Sequence, residues 1–454
     1  MNLAEKQIIE LQITGLGSSG EGVGKIEGFT VFAQGGLPGE KVRVRLNKVK
    51  KTYAMGRVIR ILEASADRIE PRCPVYKSCG GCQLQHLSYQ AELNVKRQQV
   101  YDALTRIGHF TDLQVEPTLG AESPWYYRNK MQFPVAEEKG KIAIGCFAAA
   151  SHKVINVENC FIQKEANNTV SRVVKIWLEK YHIPTYDEYQ HKGLVRHVMG
   201  RVGVHSGEVM VVLVTTKPEL PHQTELLETL KKQVTGFKTL IQNINSKATN
   251  IILGRENKVL YGTGTITDSI GSLCFHISAQ SFFQVNSEQA EKLYSKALQF
   301  ANLQGKETVV DVYCGTGTIT LFLAQKAAKA YGIEIVPSAI ADAKQNALDN
   351  KVNNAEFILG DAAEELPKLL TSGVRPEVIV LDPPRVGCEA KVLNALAKVE
   401  PKRIIYVSCN PATLARDAAI LAEQGYSLTK VQPVDMFSRT CHVECVCLMS
   451  RVEK

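Results

Sequence analysis

No stretch of this chain approaches the roughly twenty consecutive apolar residues that cross a bilayer as a helix. The opening MNLAEKQIIE is polar and holds no apolar run of signal-peptide length, so a cytoplasmic protein with no membrane partner is expected. No repeat or low-complexity segment occurs within residues 124–270. The one strand-like segment followed by a glycine turn and a helix start, DVYCGTGTIT at 311–320, lacks a following Gly-Lys-Ser/Thr, which excludes a phosphate loop. It also has Thr320 at the third small position of a dinucleotide fingerprint, which argues against a nicotinamide cofactor. Between residues 41 and 60, KVRVRLNKVKKTYAMGRVIR has no acidic residue at all and eight Lys or Arg.

Cysteine, by contrast, is plentiful: twelve residues. In a reducing compartment that number points to metal binding or catalysis rather than a disulfide framework. At 44% hydrophobic and 22% charged the composition is globular, and the length allows two or three domains.

Residues 1–65 read as five short strands punctuated by GLGSSGEGVG and GGLPGE, an OB-like barrel. VRVRL alternates as a strand with one basic face, and Phe29, Phe32 and Tyr53 are candidate base-stacking residues as well as candidate core. A net charge of +8 fits a nucleic-acid partner without proving one. Residues 91–107 have helical period, and 124–270 mix strands and helices. From 308 the pattern becomes regular: TVVDVY, AYGIEIV, AEFILGD, EVIVLDPP and RIIYVSC are strands, most joined by helices. That is an α/β, doubly wound, Rossmann-like sheet, in which ligands bind at the carboxyl ends of the strands.

Three motifs sit at such ends. Gly315 and Gly317 let the backbone approach a ligand, and Glu334 ends the next strand, where a carboxylate can accept both ribose hydroxyls of a nucleoside. The two together favour S-adenosylmethionine. Asp382 ends a strand in LDPPR, whose prolines stiffen the loop. Similar Asp-Pro-Pro-aromatic loops serve exocyclic-amine methylation, but Arg385 stands in the aromatic position. Cys409 ends the fifth strand, and RTCHVECVCL at 439–448 reads as a late edge strand carrying Glu444.

A thiol and a carboxylate beside a methyl donor suit one chemistry. Carbon 5 of a pyrimidine is a poor nucleophile. A thiolate adding to carbon 6 makes it enolate-like, it takes the methyl group, and a base removes the carbon-5 proton so that the thiol can leave. Cys409 then needs a lowered pKa or a proton acceptor, and NPATLARD is expected to start a helix whose N-terminal amides favour thiolate. Separately, CPVYKSCGGC places Cys73, Cys79 and Cys82 in a C-x5-C-x2-C loop, with Cys160 the expected fourth ligand and Cys146 its nearest competitor. Spacing alone leaves zinc and an iron–sulfur cluster equally open.

SFFQVN (281–286), DVYCGTGTIT, LDPPR, VSCNPATLARD and HVE (442–444) occur in the order found in RNA uridine-5-methyltransferases, which the chain resembles over nearly its whole length. The amino-terminal barrel resembles a TRAM domain. CPVYKSCGGCQLQHLSYQ and YRNKMQFPV resemble the iron–sulfur bacterial branch that methylates 23S ribosomal RNA, whereas the tRNA branch is expected to lack both barrel and cluster. The resemblance implies Cys409 as nucleophile and Glu444 as base. It implies Gln284, Tyr313, Glu334 and Asp382 as S-adenosylmethionine contacts, and Cys73, Cys79, Cys82 and Cys160 as ligands of a 4Fe-4S cluster. It further implies a TRAM domain over 1–65, a central α+β domain from 66–90 and 124–270, and a catalytic domain from 91–123 and 271–454, with no obligate protein partner. Two departures stand out: Ser438 where relatives often have proline, bearing on how Glu444 is aimed, and Val386 where a basic residue is common, bearing on an RNA phosphate contact.

Overall fold

The computed structural model describes residues 3–452. Its amino-terminal sheet has six strands rather than five: Ile8–Gln12, Gly15–Leu16, Gly22–Ile26, Phe29–Gln34, Lys41–Val49 and Tyr53–Glu63, ordered first, fifth, sixth, fourth, third, second. Val42, Val44 and Leu46 alternate with Arg43 and Arg45, so the period of two sends the valines into the core and the arginines outward. Phe29 packs against that core, while Phe32 and Tyr53 meet edge to face at 5.7 Å and stay half-buried.

The middle of the chain builds a seven-stranded mixed sheet from Lys130–Glu138 to Glu256–Tyr261, covered by helices Glu165–Lys180 and Gln223–Gln233. A hairpin, Thr265–Ile270 and Leu273–Ser278, spans the expected 270/271 boundary. Its Ile266, Ile270 and Phe275 pack with Phe283 and Ala290, on the carboxy-terminal side of that boundary.

The carboxy-terminal sheet runs in the order Ala355–Leu359, Lys329–Glu334, Thr308–Val312, Val378–Leu381, Arg403–Ser408, Glu444–Arg451, Tyr426–Val434. The first five strands are parallel. Alternate residues serve opposite faces, as burial on both sides requires. Val309, Val380 and Val407 join the core under helices Ser287–Ala301 and Pro337–Asp349. Val310, Leu381 and Tyr406 join the core under helices Ala390–Val399 and Pro411–Glu423. Helix Tyr89–Arg106 lies on this second face, with Val100 and Leu104 in the same core as Leu414 and Ala418. The strand holding Glu444 is not at the edge. It begins at Glu444 itself and lies antiparallel between Arg403–Ser408 and Tyr426–Val434. The apolar run CVCLM, buried on both faces, accounts for that inner position, while TKVQ in the outer strand is partly exposed.

Candidate active site and cysteine centre

The strand Thr308–Val312 is where the order reverses: the chain goes one way to Lys329–Glu334 and the other way to Val378–Leu381. Such a reversal opens a crevice at the strand ends. Tyr313 (φ 70°), Gly315 (φ 56°) and Gly317 (φ 81°) turn the chain out of the strand through left-handed backbone. A Cβ on Gly317 would come within 2.8 Å of the Phe357 ring, so only glycine fits, whereas at Gly315 nothing lies within 4 Å and the turn is open. Glu334 accepts from Gly315 N at 3.1 Å and Val336 N at 2.9 Å, so its carboxylate shapes this turn and keeps free lone pairs.

Asp311, which the strand pattern puts at the same edge but to which no role was assigned, accepts from Thr320 Oγ1 at 2.6 Å. Its buried Oδ1 has no partner. Burial first, then the Asp382 and Glu334 carboxylates, push the Asp311 carboxyl up to about 7. Burial alone brings Asp382 to about 7 as well. Burial and the Asp382 carboxylate raise Glu444 to about 8, against the pull of Arg385. Tyr294, buried on the helix after SFFQVN, has its hydroxyl raised by burial and by the Asp382 carboxylate. It reaches the same crevice, yet nothing in the sequence separates it from a core aromatic.

Cys409 comes one residue after Arg403–Ser408, and Asn410 caps the following helix by accepting from Ala412 N, with Pro411 in the first turn. The thiol pKa is raised rather than lowered. Burial comes first, then the Glu444 and Asp382 carboxylates, and these outweigh Arg385 and the backbone. Burial, with Glu444 and Asp382 beside it, overrides the lowered pKa expected from the helix start and leaves a proton acceptor as the remaining expected route to a nucleophile. Arg385 NH2 donates to His442 Nδ1 at 2.8 Å, and its carbonyl accepts from Asn410 Nδ2 at 3.0 Å, which ties LDPPR to both other motifs. His442 is another residue sequence reasoning passed over; burial and Arg385 hold it below its usual pKa, as a neutral acceptor.

The cysteine loop lies elsewhere. Gly80 N bonds Phe147 O at 3.0 Å, which brings Cys79 to the strand Lys141–Phe147 and its Cys146. The neighbouring Cys146 thiol pulls Cys79 down to about 7, while burial raises Cys82 to about 12 and Cys160 to about 11. Cys73, Cys79, Cys82 and Cys160 are close enough to perturb one another, and Cys146 belongs to the same group. Among the described residues, no three His, Cys, Asp or Glu side chains stand together closely enough to hold one metal ion. The all-thiol donor set nonetheless fits soft metal chemistry.

Comparison with known proteins fits this geometry. The family model described as tRNA (uracil-5-)-methyltransferase matches residues 88–452, and the TRAM domain model matches residues 4–59. An uncharacterized RNA methyltransferase of Clostridium tetani is 51% identical over 97% of this chain and 95% of its own length. One of Bacillus cereus is 48% identical over 99% and 98%. The crystal structure of the Pyrococcus abyssi tRNA (uracil-54, C5)-methyltransferase with S-adenosyl-L-homocysteine matches at TM-score 0.77 and 26% identity, over 97% of this chain and 100% of that one. A match over 97% of the chain cannot omit residues 4–59, so the expectation that a tRNA-directed enzyme lacks the barrel is overturned. No helix among the described residues is long and apolar enough to cross a membrane. The chain belongs to the RNA (uracil-5-)-methyltransferase family and carries a TRAM domain at its amino end.

Proposed function

We propose that this protein methylates carbon 5 of a uridine in 23S ribosomal RNA in the cytoplasm, through a covalent adduct on Cys409. One observation carries the reading: a raised thiol faces raised carboxylates at the carboxyl edge of the sheet, beside an open glycine turn. S-adenosylmethionine, when bound, supplies an electrophilic methyl group, and Gln284, Tyr313, Glu334 and Asp382 are the residues assigned to hold it. The unpartnered Asp311 Oδ1 and the empty space at Gly315 fit such a ligand.

Cys409 loses its proton to solvent, and the thiolate adds to carbon 6 of the flipped-out uracil while the carbon 5–carbon 6 electron pair passes to carbon 5 as an enolate. Carbon 5 takes the methyl group, Glu444 removes the carbon-5 proton, and the Cys409–carbon 6 bond breaks. Glu444 suits this role because its raised pKa makes it a stronger base than an ordinary carboxylate while leaving it partly ionised near pH 8. Cys73, Cys79, Cys82 and Cys160 are assigned as ligands of a 4Fe-4S cluster, on their mutual proximity and all-thiol donor chemistry. The cluster would brace the cysteine loop, and no chemical step is routed through it.

RNA binding is supported by the barrel. Arg43 faces Arg60 and Arg45 faces Arg57 across neighbouring strands, all exposed, and only Arg43 has a carboxylate partner, Glu10. A polyanion would relieve that repulsion.

A second reading, methylation of tRNA, is favoured by the whole-chain likeness to the Pyrococcus abyssi enzyme. The test is adduct trapping with 5-fluorouridine transcripts, since fluorine blocks the final elimination. A gel-shifted 23S fragment that disappears with Cys409→Ala supports the first reading. A shift with tRNA alone moves the protein to the second. No shift with either RNA refutes the covalent mechanism.

A further inference from the structure

Glu444 opens its strand, so its aim depends on the irregular segment 435–443 before it. That segment is held from outside the sheet. Lys96, on the helix Tyr89–Arg106, is fully buried. Its Nζ donates to Asp435 Oδ1 at 2.5 Å, Glu92 Oε1 at 2.8 Å and Phe437 O at 3.1 Å. Glu92 Oε1 also accepts from Arg439 N at 2.7 Å, and Ser438 Oγ donates to Asp435 Oδ2 at 2.5 Å. Arg439 sits at φ 67°, a conformation a non-glycine residue keeps only when its surroundings impose it.

The cysteine loop supplies the rest. Gln83 N and Leu84 N both donate to Arg439 O, at 3.1 and 3.0 Å. Gln83 Oε1 accepts from Cys441 N at 3.4 Å, and Gln83 Nε2 donates to Gly80 O at 2.9 Å. One side chain therefore bridges the turn between Cys79 and Cys82 to a backbone amide three residues before Glu444. The barrel closes on the same point: a Cβ on Gly20 would lie 2.9 Å from Gln83 Cβ and 3.6 Å from Cys441 Cβ.

We infer that Gln83, together with the buried Lys96 network, is a positioning device that aims Glu444, so the order of the cysteine loop is felt in the last step of the reaction. This rests on the reading of Glu444 as the base. Loss of the Gln83 bridge should then spare RNA binding and attack by Cys409, and slow only removal of the carbon-5 proton.

The test uses the full-length protein as purified, with its iron content measured, and unfluorinated target RNA. Gln83→Ala is expected to lower kcat about 10- to 100-fold, the scale of a misplaced catalytic group, with KM for RNA within about twofold. The methylated covalent adduct should accumulate on a denaturing gel, as in Glu444→Gln. Gln83→Glu, which keeps the acceptor for Cys441 N but loses the donor to Gly80 O, should restore the rate only in part. Hydrogen exchange of the peptide covering 439–444 should speed up in Gln83→Ala and not in Gln83→Glu. Normal turnover by Gln83→Ala, or reduced turnover without adduct while Glu444→Gln does accumulate it, would overturn the inference. If Glu444→Gln itself holds no adduct, the assignment of the base has failed, and the inference falls with it.

Discussion

Like charges crowd together in two places in this molecule, and the two are resolved differently. On the barrel, Arg43, Arg45, Arg57 and Arg60 face one another across two strands in open water. Water and salt screen them, so their mutual repulsion costs little stability. At the edge of the catalytic sheet, Asp311, Asp382 and Glu444 crowd together under burial, and their proton affinities rise to about 7, 7 and 8. There the cost of a buried charge is met by holding protons. A repelling surface cluster is thus a docking site for an opposite charge, whereas a repelling buried cluster is a store of basicity.

The largest expected effect comes from removing the group that the buried carboxylates hold up. Cys409→Ala should abolish both product and trapped adduct, a loss on the order of a thousandfold or more in single-turnover methylation. Replacing the proposed base, Glu444→Gln, should cost about 10²- to 10⁴-fold in product release. The same change should raise the melting temperature of the ligand-free protein at pH 8, measured by calorimetry. Because the folded Glu444 pKa lies above its unfolded value, the contribution to stability is full below about 4.5 and is lost as pH rises through about 8. The rate should run the other way, climbing as Glu444 ionises toward pH 8; a flat rate profile between pH 6 and 8.5 would remove it from the rate-determining step.

A third cluster sharpens the contrast, since in it a cation sits among the acids. Lys96 lies between Glu92 and Asp435, and the acids raise its pKa although burial opposes them. Lys96→Met would leave those carboxylates buried without their partner, at a cost of about 3–5 kcal/mol in urea unfolding. The smallest effect belongs to the barrel. Arg45→Gln with Arg57→Gln should leave the melting temperature unchanged or slightly raised. The salt dependence of RNA binding should flatten by about 0.7–0.9 log units per log salt for each phosphate that the variant no longer neutralises. An unchanged slope would take the barrel face out of the RNA interface.

Ser438 illustrates how a departure in sequence acquires meaning. Its hydroxyl bonds Asp435 and its carbonyl accepts from Tyr127 OH at 3.0 Å, so the serine is part of the network behind Glu444. A proline would keep the carbonyl and lose the hydroxyl bond. Val386 is 72% exposed, on a loop whose carbonyls are held by Asn410 and Arg416. Nothing in the structure explains the absence of a basic residue there.

The sequence by itself determined the parallel sheet, its strand ends and the motifs on them, because period-two apolar runs, glycine turns and caps such as Asn410 are local. It placed Cys409, Glu334 and Asp382 at one edge for the same reason. Only the tertiary structure decided that Glu444 starts an inner strand, that Tyr294 and His442 share its crevice, and that the Cys409 thiol is held up rather than down. Each of these depends on which charges meet across distant segments and how deeply burial covers them. The hydrogen bond between Gln83 and Cys441 spans more than 350 residues of chain and is made by one amide side chain that no local pattern distinguishes.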